Sequence, residues 1–388
     1  MKCASALSKV RNTETATRAA LATIRERMDG AAGDLAVVFS TPHHADALGA
    51  ISAAIRAEGL ARHVVGCTAE AIIGDGEEVE GVCGLSLWIA SMPGAHIAPI
   101  PLDSAVESWP IDRWRNAPDD PDSRALILLG DPFAFPVDVF LKRLNDENIP
   151  LRVFGGMASG ARAPRQNRLV LDDDVREDGA VAIQIDGGVK IRGVVSQGCR
   201  PIGQHMIVTK VERNVIRELG RTPALETLRA LFETLDEDDQ DRVQQGLHIG
   251  RVINEYQDRF QRGDFLVRNV LGADDAGGIA ITDVLRVGQT VQFHVRDAVT
   301  ADEDLRMLLE AERRAHPGSK VRGALVFTCN GRGLRLFDEP NHDVAVLDEI
   351  AGPIPAAGFF AMGEIGPIGA QNFVHGFTAG IVLFEEDE

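Results

Sequence analysis

Two nine-residue stretches, GCTAEAIIG at Gly66–Gly74 and GFFAMGEIG at Gly358–Gly366, lie far apart in the chain. Each has glycine at both ends and alanine in fourth place. Each follows a short apolar run, and each leads through a glycine-rich turn into a strand with Val-x-Gly at its head: VEGVCGLSLW after the first, VHGFTAGIVLF after the second. Upstream of both lies the order strand, helix, strand. DLAVVFS (Asp34–Ser40) is followed by a helical pattern through Ala45–Glu58, and GALVFTCNGRG (Gly323–Gly333) by the helical DVAVLDEI. The same order recurs in between. RALILLG is a strand, PVDVFLKRLNDEN a helix with proline at its start, LRVFGG a strand ending in glycines, and NRLVLDD with GAVAIQIDGG a hairpin. Three copies of one unit are therefore expected, each a strand, helix, strand, glycine turn and returning strand.

Around these copies the patterns are mixed. Glu14–Met28 reads as a leading amphipathic helix with Asn12 or Thr13 as its cap. Val79–Ala90 reads as one strand. Between the second and third copies lie several antiparallel strands, a helix opened by Thr222-Pro223, an acidic run at Asp236–Asp241 read as a solvated helix face, and a helix from Asp302 opened by a Thr300/Glu303 capping box. So many hairpins disfavour a doubly wound parallel sheet. The expected fold is α+β: two domains built from diverged repeats, with mixed and antiparallel sheets and helices packed outside. The boundaries are 1–30 for a leading helix or extension, 31–220 for the first domain and 221–388 for the second.

Composition narrows the functional classes. The chain has 388 residues, 45% hydrophobic and 25% charged, which is enough to bury a core and too apolar for disorder. With 40 Lys and Arg against 58 Asp and Glu, the net charge is -18. A chain so acidic, without basic runs, disfavours nucleic acid and anionic membrane surfaces. Its five cysteines include no C-x-x-C, so neither a disulfide framework nor a zinc ribbon is implied, and reduced thiols in a cytoplasm fit best. No apolar signal region opens the chain, and the longest late apolar stretch is broken by Pro353 and Pro355. A cytoplasmic location is expected.

The blocks VVGCTAEAIIGDGEEVEG, FGGMASG, GQTVQFHVRDA, LVFTCNGRG and GFFAMGEIGPIGAQNFVHGFTAGIVLF together resemble the FIST family, F-box and intracellular signal transduction proteins. The likeness spans nearly the whole chain, a FIST-N part from Ala31 to Gly220 and a FIST-C part from Arg221 onward. It implies a sensory domain that binds a small ligand, with amino acids proposed for the family. Some bacterial members bind haem and sense nitric oxide. Eukaryotic relatives carry an F-box, for which the segment before Ala31 is too short. A standalone sensor of this kind would pass its signal to a separate protein such as a histidine kinase.

The candidate residues cluster in the third copy. Cys329, Asn330 and Arg332 sit where a strand ends in a turn, a position that often lines pockets. Arg332 suits a bidentate grip on a carboxylate, and the glycines, Gly358 among them, would let a ligand approach the backbone. Glu364 suits a ligand ammonium, and Asn372 offers both a donor and an acceptor. His375 precedes a strand glycine. Each also has a purely structural reading: Glu364 accepting backbone N–H groups, Asn372 shaping a turn, His375 a satisfied core histidine. The expected activity is non-catalytic binding of an amino acid or related small acid. One alternative is a haem-based gas sensor with His375, His205 or His248 as axial ligand. A cysteine enzyme using Cys67 or Cys329 is the other, although no nucleophile–base–orienter set is visible. Asp172, Asp173 and Asp174 read as a solvated turn, so no metal is expected.

Overall fold

A computed structural model describes residues 1–257, 259–260 and 263–386. The chain divides into two compact units, Met1–Val195 with Leu305–Glu388, and Ser196–Asp304, the second inserted into the sequence of the first.

The larger unit is three copies of one motif. The first runs β1 (Lys2–Ser8), α1 (Thr13–Met28), β2 (Gly33–Ser40), α2 (Leu48–Ala57), β3 (Ala61–Thr68), the hairpin β4 (Ile72–Gly74) and β5 (Glu77–Val79), and β6 (Leu85–Ser91). The second runs β7 (His96–Leu102), three short 3-10 turns, β8 (Arg124–Gly130), α3 (Val137–Asp146), β9 (Arg152–Met157), the hairpin β10 (Leu169–Leu171) and β11 (Asp174–Arg176), and β12 (Ala180–Asp186). The third opens on β13 (Val189–Ser196). In the inserted unit follow β14 (Arg200–Glu212), β15 (Val215–Leu219), β16 (Thr222–Pro223), α4 (Ala224–Phe232), α5 (Glu237–Gln245), β17 (His248–Val252), β18 (Phe265–Ala273), β19 (Ile279–Ile281) and β20 (Thr290–Val295). The copy resumes with α6 (Ala298–Ala315), β21 (Val321–Cys329), α7 (His342–Ala351), β22 (Ala356–Ala361), the hairpin β23 (Glu364–Ile368) and β24 (Gln371–His375), and β25 (Ala379–Glu386).

In every copy the two strands flanking the crossover helix pair in parallel, β2 with β3, β8 with β9 and β21 with β22, and the last strand returns antiparallel to the first of that pair. The hairpins do not stay at home. β4–β5 extends β22 of the third copy, β10–β11 extends β3 of the first, and β23–β24 extends β9 of the second. The result is three six-stranded sheets of equivalent order, each completed by a neighbour's hairpin.

One apolar core holds the unit together. The inward faces of all three sheets meet in it, through Val37, Phe39, Trp88, Ile127, Phe154, Ile183, Phe327, Phe359 and Phe384, all buried. The outer faces are covered separately: α1 and α2 over the first sheet, α3 over the second, α6 and α7 over the third. Three glycines fix the parallel pairs. A Cβ on Gly66, Gly155 or Gly358 would lie 2.1, 1.9 and 1.9 Å from the carbonyl oxygens of Val38, Leu128 and Val326. Those are their partners in register, so each site admits hydrogen alone.

In the inserted unit, β14 pairs with both β20 and β15 and closes the order β14-β20-β17-β18-β19-β15 into an antiparallel barrel. Ile202, Ile249, Ile279, Val291 and Phe293 fill it.

Local expectations held unevenly. Asn12 caps α1, its side chain accepting from the Thr15 N–H at 2.9 Å. α6 begins before Thr300, and Asp297, not Thr300, accepts at its first turn. The single strand expected over Val79–Ala90 is two: β5 belongs to the third sheet, β6 to the first, and Gly81 at φ 71 turns the chain between them. The leading segment is more than a helix, since β1 pairs along its length with β6. The compact units part at Val195 and Leu305.

Candidate functional site

The third copy ends β21 in the turn Cys329–Arg332 and restarts in α7 with Asn341 as its N-cap. Arg332 is fully buried. Its Nε and Nη2 donate to the two oxygens of Asp343, itself 1% exposed, at 2.8 and 2.7 Å. The same carboxylate accepts from Thr328 Oγ1 at 2.5 Å and lies 2.9 Å from His342 Nδ1. The His342 ring stacks flat on Phe337, centroids 3.4 Å apart, and the guanidinium lies over that phenylalanine at 5.2 Å.

A residue from the first copy completes the cluster. Glu78, on the exchanged hairpin, accepts from the Asp343 and Val344 N–H groups at 2.8 and 3.2 Å, at the positive end of α7. Asn341 holds Glu78 in turn, accepting from its N–H at 2.7 Å. Next to it Glu80 accepts from the Leu334 N–H at 2.9 Å, and Gly333, at φ 57, allows the close approach.

Burial would disfavour the charge on Asp343, but Arg332 and the bonds from His342 and Thr328 outweigh it and hold the carboxyl below its usual range. Glu78 goes the other way. Burial, then the neighbouring Asp343 charge, push it up to about 8 against the pull of the helix N–H groups. Three polar atoms of this turn are buried without a hydrogen-bond partner among the described residues: Arg332 Nη1, Glu78 Oε2 and Asn330 Oδ1.

The structure brings Cys329, Asn330 and Arg332 together in this one turn. Glu364 and His375 face each other across the β23–β24 hairpin. They connect to the turn through Thr378, whose N–H donates to Glu364 Oε2 and whose carbonyl accepts from the Cys329 N–H. Glu364 is fully buried, and His375 is 3% exposed with Nε2 3.0 Å from the Gly366 carbonyl.

Asn372 stands apart from these residues. Its side chain takes the Val153 N–H and gives to the Leu151 carbonyl, both at 2.8 Å, while Asn145 of α3 bonds its backbone. Asp172 does the same work on another exchanged hairpin. It accepts the Val64 N–H, and Ser52 of α2 bonds its carbonyl. Gly358 is taken up by its contact with Val326.

The three histidines considered as axial haem ligands stand in different settings. The His375 nitrogen is turned to a carbonyl inside a packed hairpin. His248 is buried opposite His294, its pKa pushed down to about 4 by burial and then by Arg296, and His205 stands exposed. Cys67 faces the central core with no exposure, and burial pushes its thiol up, so no thiolate is presented to a substrate. Two cavities of about 110 and 440 Å³ lie near the end of α6, and none of the candidate residues lines them.

Sequence reasoning missed Glu78 and Asp343. Glu78 sat in a loop read as glycine- and glutamate-rich, and Asp343 was read as one residue of a short helix. Their partners in the cluster come from 263 or more residues away in the first case and from across the turn in the second.

With this geometry in view, the comparisons with known proteins place the chain. Residues 34–222 match the FIST N domain and 224–367 the FIST C domain. The chain belongs to the FIST family, whose domains are sensory domains of signal transduction. The uncharacterized protein Rv0628c of Mycobacterium tuberculosis is 39% identical over 385 residues, covering 99% of this chain and 100% of that protein. The uncharacterized protein Mb0898c of Mycobacterium bovis is 40% identical over 367 residues, covering 94% and 93%. The division between the two family domains falls within the inserted unit. No helix among the described residues is long and apolar enough to cross a membrane.

Proposed function

We propose that this protein is a cytoplasmic sensor that binds a small ligand without transforming it, an amino acid or related small acid, at the end of β21. The observation that carries this reading is the buried Arg332–Asp343–Glu78 cluster. The equivalent end of β2 makes the same crossover with uncharged Ser40 and Thr41. The first copy thus closes this end without a buried ion pair among the described residues, the second holds only a buried carboxyl, Asp131, bonded to Asn167, and buried ion pairs are weak contributors to stability. Charge placed where the fold can do without it supports a ligand role. The bound state would pass its signal to a separate protein, a histidine kinase being the partner this reading favours.

The test is a thermal-shift screen of amino acids and small carboxylic acids at millimolar concentration. At least one compound raises the melting temperature in a concentration-dependent way. If every compound leaves it unchanged, the reading is lost. The partner is checked separately, by whether the liganded protein alters the autophosphorylation rate of a candidate kinase.

A further inference from the structure

The three unpartnered atoms at the end of β21 belong to one turn and the hairpin that covers it. Arg332 Nη1 can only donate, because guanidinium has no acceptor. Glu78 uses Oε1 on the α7 N–H groups, which leaves Oε2. With its pKa at about 8, Glu78 carries a proton near neutral pH, and that proton belongs on the oxygen the helix does not use. Two donors therefore hang from the same anchor, since Asp343 grips Arg332 through its carboxylate and Glu78 through its backbone N–H. Neither has an acceptor among the described residues. Leaving such groups unmade in a protein interior is costly. Asn330 Oδ1 is an acceptor two residues from Arg332 and equally unpartnered.

We propose that Arg332 Nη1 and Glu78 Oε2 together bind the carboxylate of the small ligand, and that Asn330 Oδ1 accepts from a donor on the same molecule. The ligand class is then a small amino or hydroxy acid. This rests on the reading of the protein as a small-acid sensor, and it adds the residues and a consequence. The site is shared between copies: Arg332 and Asn330 come from the third, Glu78 from the first by way of the exchanged hairpin. In the turn Gly331–Leu336, which carries Arg332, Leu334 and Arg335 are exposed. Glu80 and Glu70 hold that turn from the side of the first copy.

Glu78 makes binding depend on pH. The charged groups acting on it are Asp343 from α7, Arg332 from the turn and Glu80 from its own loop. Asp343 stays ionised throughout. A carboxylate ligand prefers Glu78 protonated, so affinity holds below pH 8 and falls about tenfold per unit above it.

The test uses the whole chain with lactate and alanine as probes, and lactamide and alaninamide as their uncharged counterparts, followed by calorimetry from pH 6 to 9.5. The acids bind, the amides bind at least tenfold more weakly, and affinity declines above pH 8. Glu78→Gln, which keeps the helix-facing oxygen and an N–H donor, binds the acids with no such decline. Arg332→Lys lowers affinity about tenfold or more. Should Arg332→Lys fail to fold, the pH profile of Glu78→Gln decides alone. If the acids bind and Glu78→Gln keeps the wild-type pH profile, the site assignment falls while the sensor reading stands. If neither acid binds wild-type protein while another compound stabilises it in the thermal screen, the ligand class assigned here is wrong. If nothing in that screen binds, both fall together.

Discussion

The ends of β2 and β21 are the same place in two copies of one motif, and they are built differently. Each parallel strand pair closes over a glycine whose hydrogen faces a carbonyl oxygen, Gly66 on Val38 and Gly358 on Val326. Each strand then turns toward a crossover helix. At β2 Thr41 Oγ1 takes the Gly84 N–H at 2.9 Å, and the buried titratable group of the turn is His44, which lies 2.8 Å from Thr13 Oγ1 and whose pKa burial lowers, so no buried ion pair forms there among the described residues. At β21 a fully buried arginine is locked to a buried aspartate, and a glutamate from the other copy caps the helix. Shared geometry marks what the fold requires. The difference marks what the third copy has added, and there the chemistry is concentrated.

Breaking the shared part should do the most damage. Gly358→Val and Gly66→Val each drive a side chain into a carbonyl oxygen about 2 Å away. Either should cost about 3 kcal/mol or more, seen as loss of soluble protein or a collapsed urea midpoint. A well-folded variant at either site would break the equivalence of the two copies.

Next comes the added part. Arg332→Met leaves Asp343 buried without its counter-ion, at a cost of about 3–5 kcal/mol. The double variant Arg332→Met/Asp343→Leu should recover much of that loss in the same denaturation assay. Were the double variant no better than the single one, the cluster would be a structural necessity and the contrast with β2 would lose its meaning.

Asn372→Ala removes two buried side-chain bonds, to Val153 and Leu151, and should cost about 2–3 kcal/mol. Ligand binding should be unaffected, which separates Asn372 from Arg332 among the residues first grouped with it.

The smallest effect is one of pH. In the folded protein burial and the Asp343 charge push Glu78 up to about 8 from the ordinary 4.5 of a glutamate. A raised carboxyl stabilises below its unfolded pKa and loses that contribution as pH rises toward the folded value, here between about 4.5 and 8. Asp343, held low, contributes above its unfolded pKa and loses that contribution on acidification. Glu78→Gln should therefore gain on wild type as pH rises from 5 to 8 in urea titrations. A constant difference would show that Glu78 does not titrate in that window.

Much of the fold was legible from local pattern. Apolar runs, helix periodicity and the recurrent glycines revealed three copies, because a strand beside another backbone needs glycine wherever the approach is closest. The resemblance to the FIST family rested on those same glycine blocks. Helix ends and the split of Val79–Ala90 were less legible. Asp297 and Thr300 are equally good caps on paper, and which strand of a turn joins which sheet is not a local property.

Of the candidate site, Arg332 was legible because an arginine beside glycines at a strand end is unusual. Its state was not. Sequence had it suited to grip a carboxylate, and it is buried on that of Asp343. The polarity of Asn372 was visible too, but only the neighbouring hairpin and α3 turn it into a clamp on β9.

The sequence by itself determined the repeat, its strands and helices, and the absence of side chains at Gly66 and Gly358, since periodicity and glycine act over a few residues. Tertiary structure alone decided where each hairpin goes and hence that Glu78 meets Asp343 across 265 positions of chain. The physical reason is that the edge of β22 will accept any strand of matching twist and register, and only the packing of three sheets on one core selects which strand arrives.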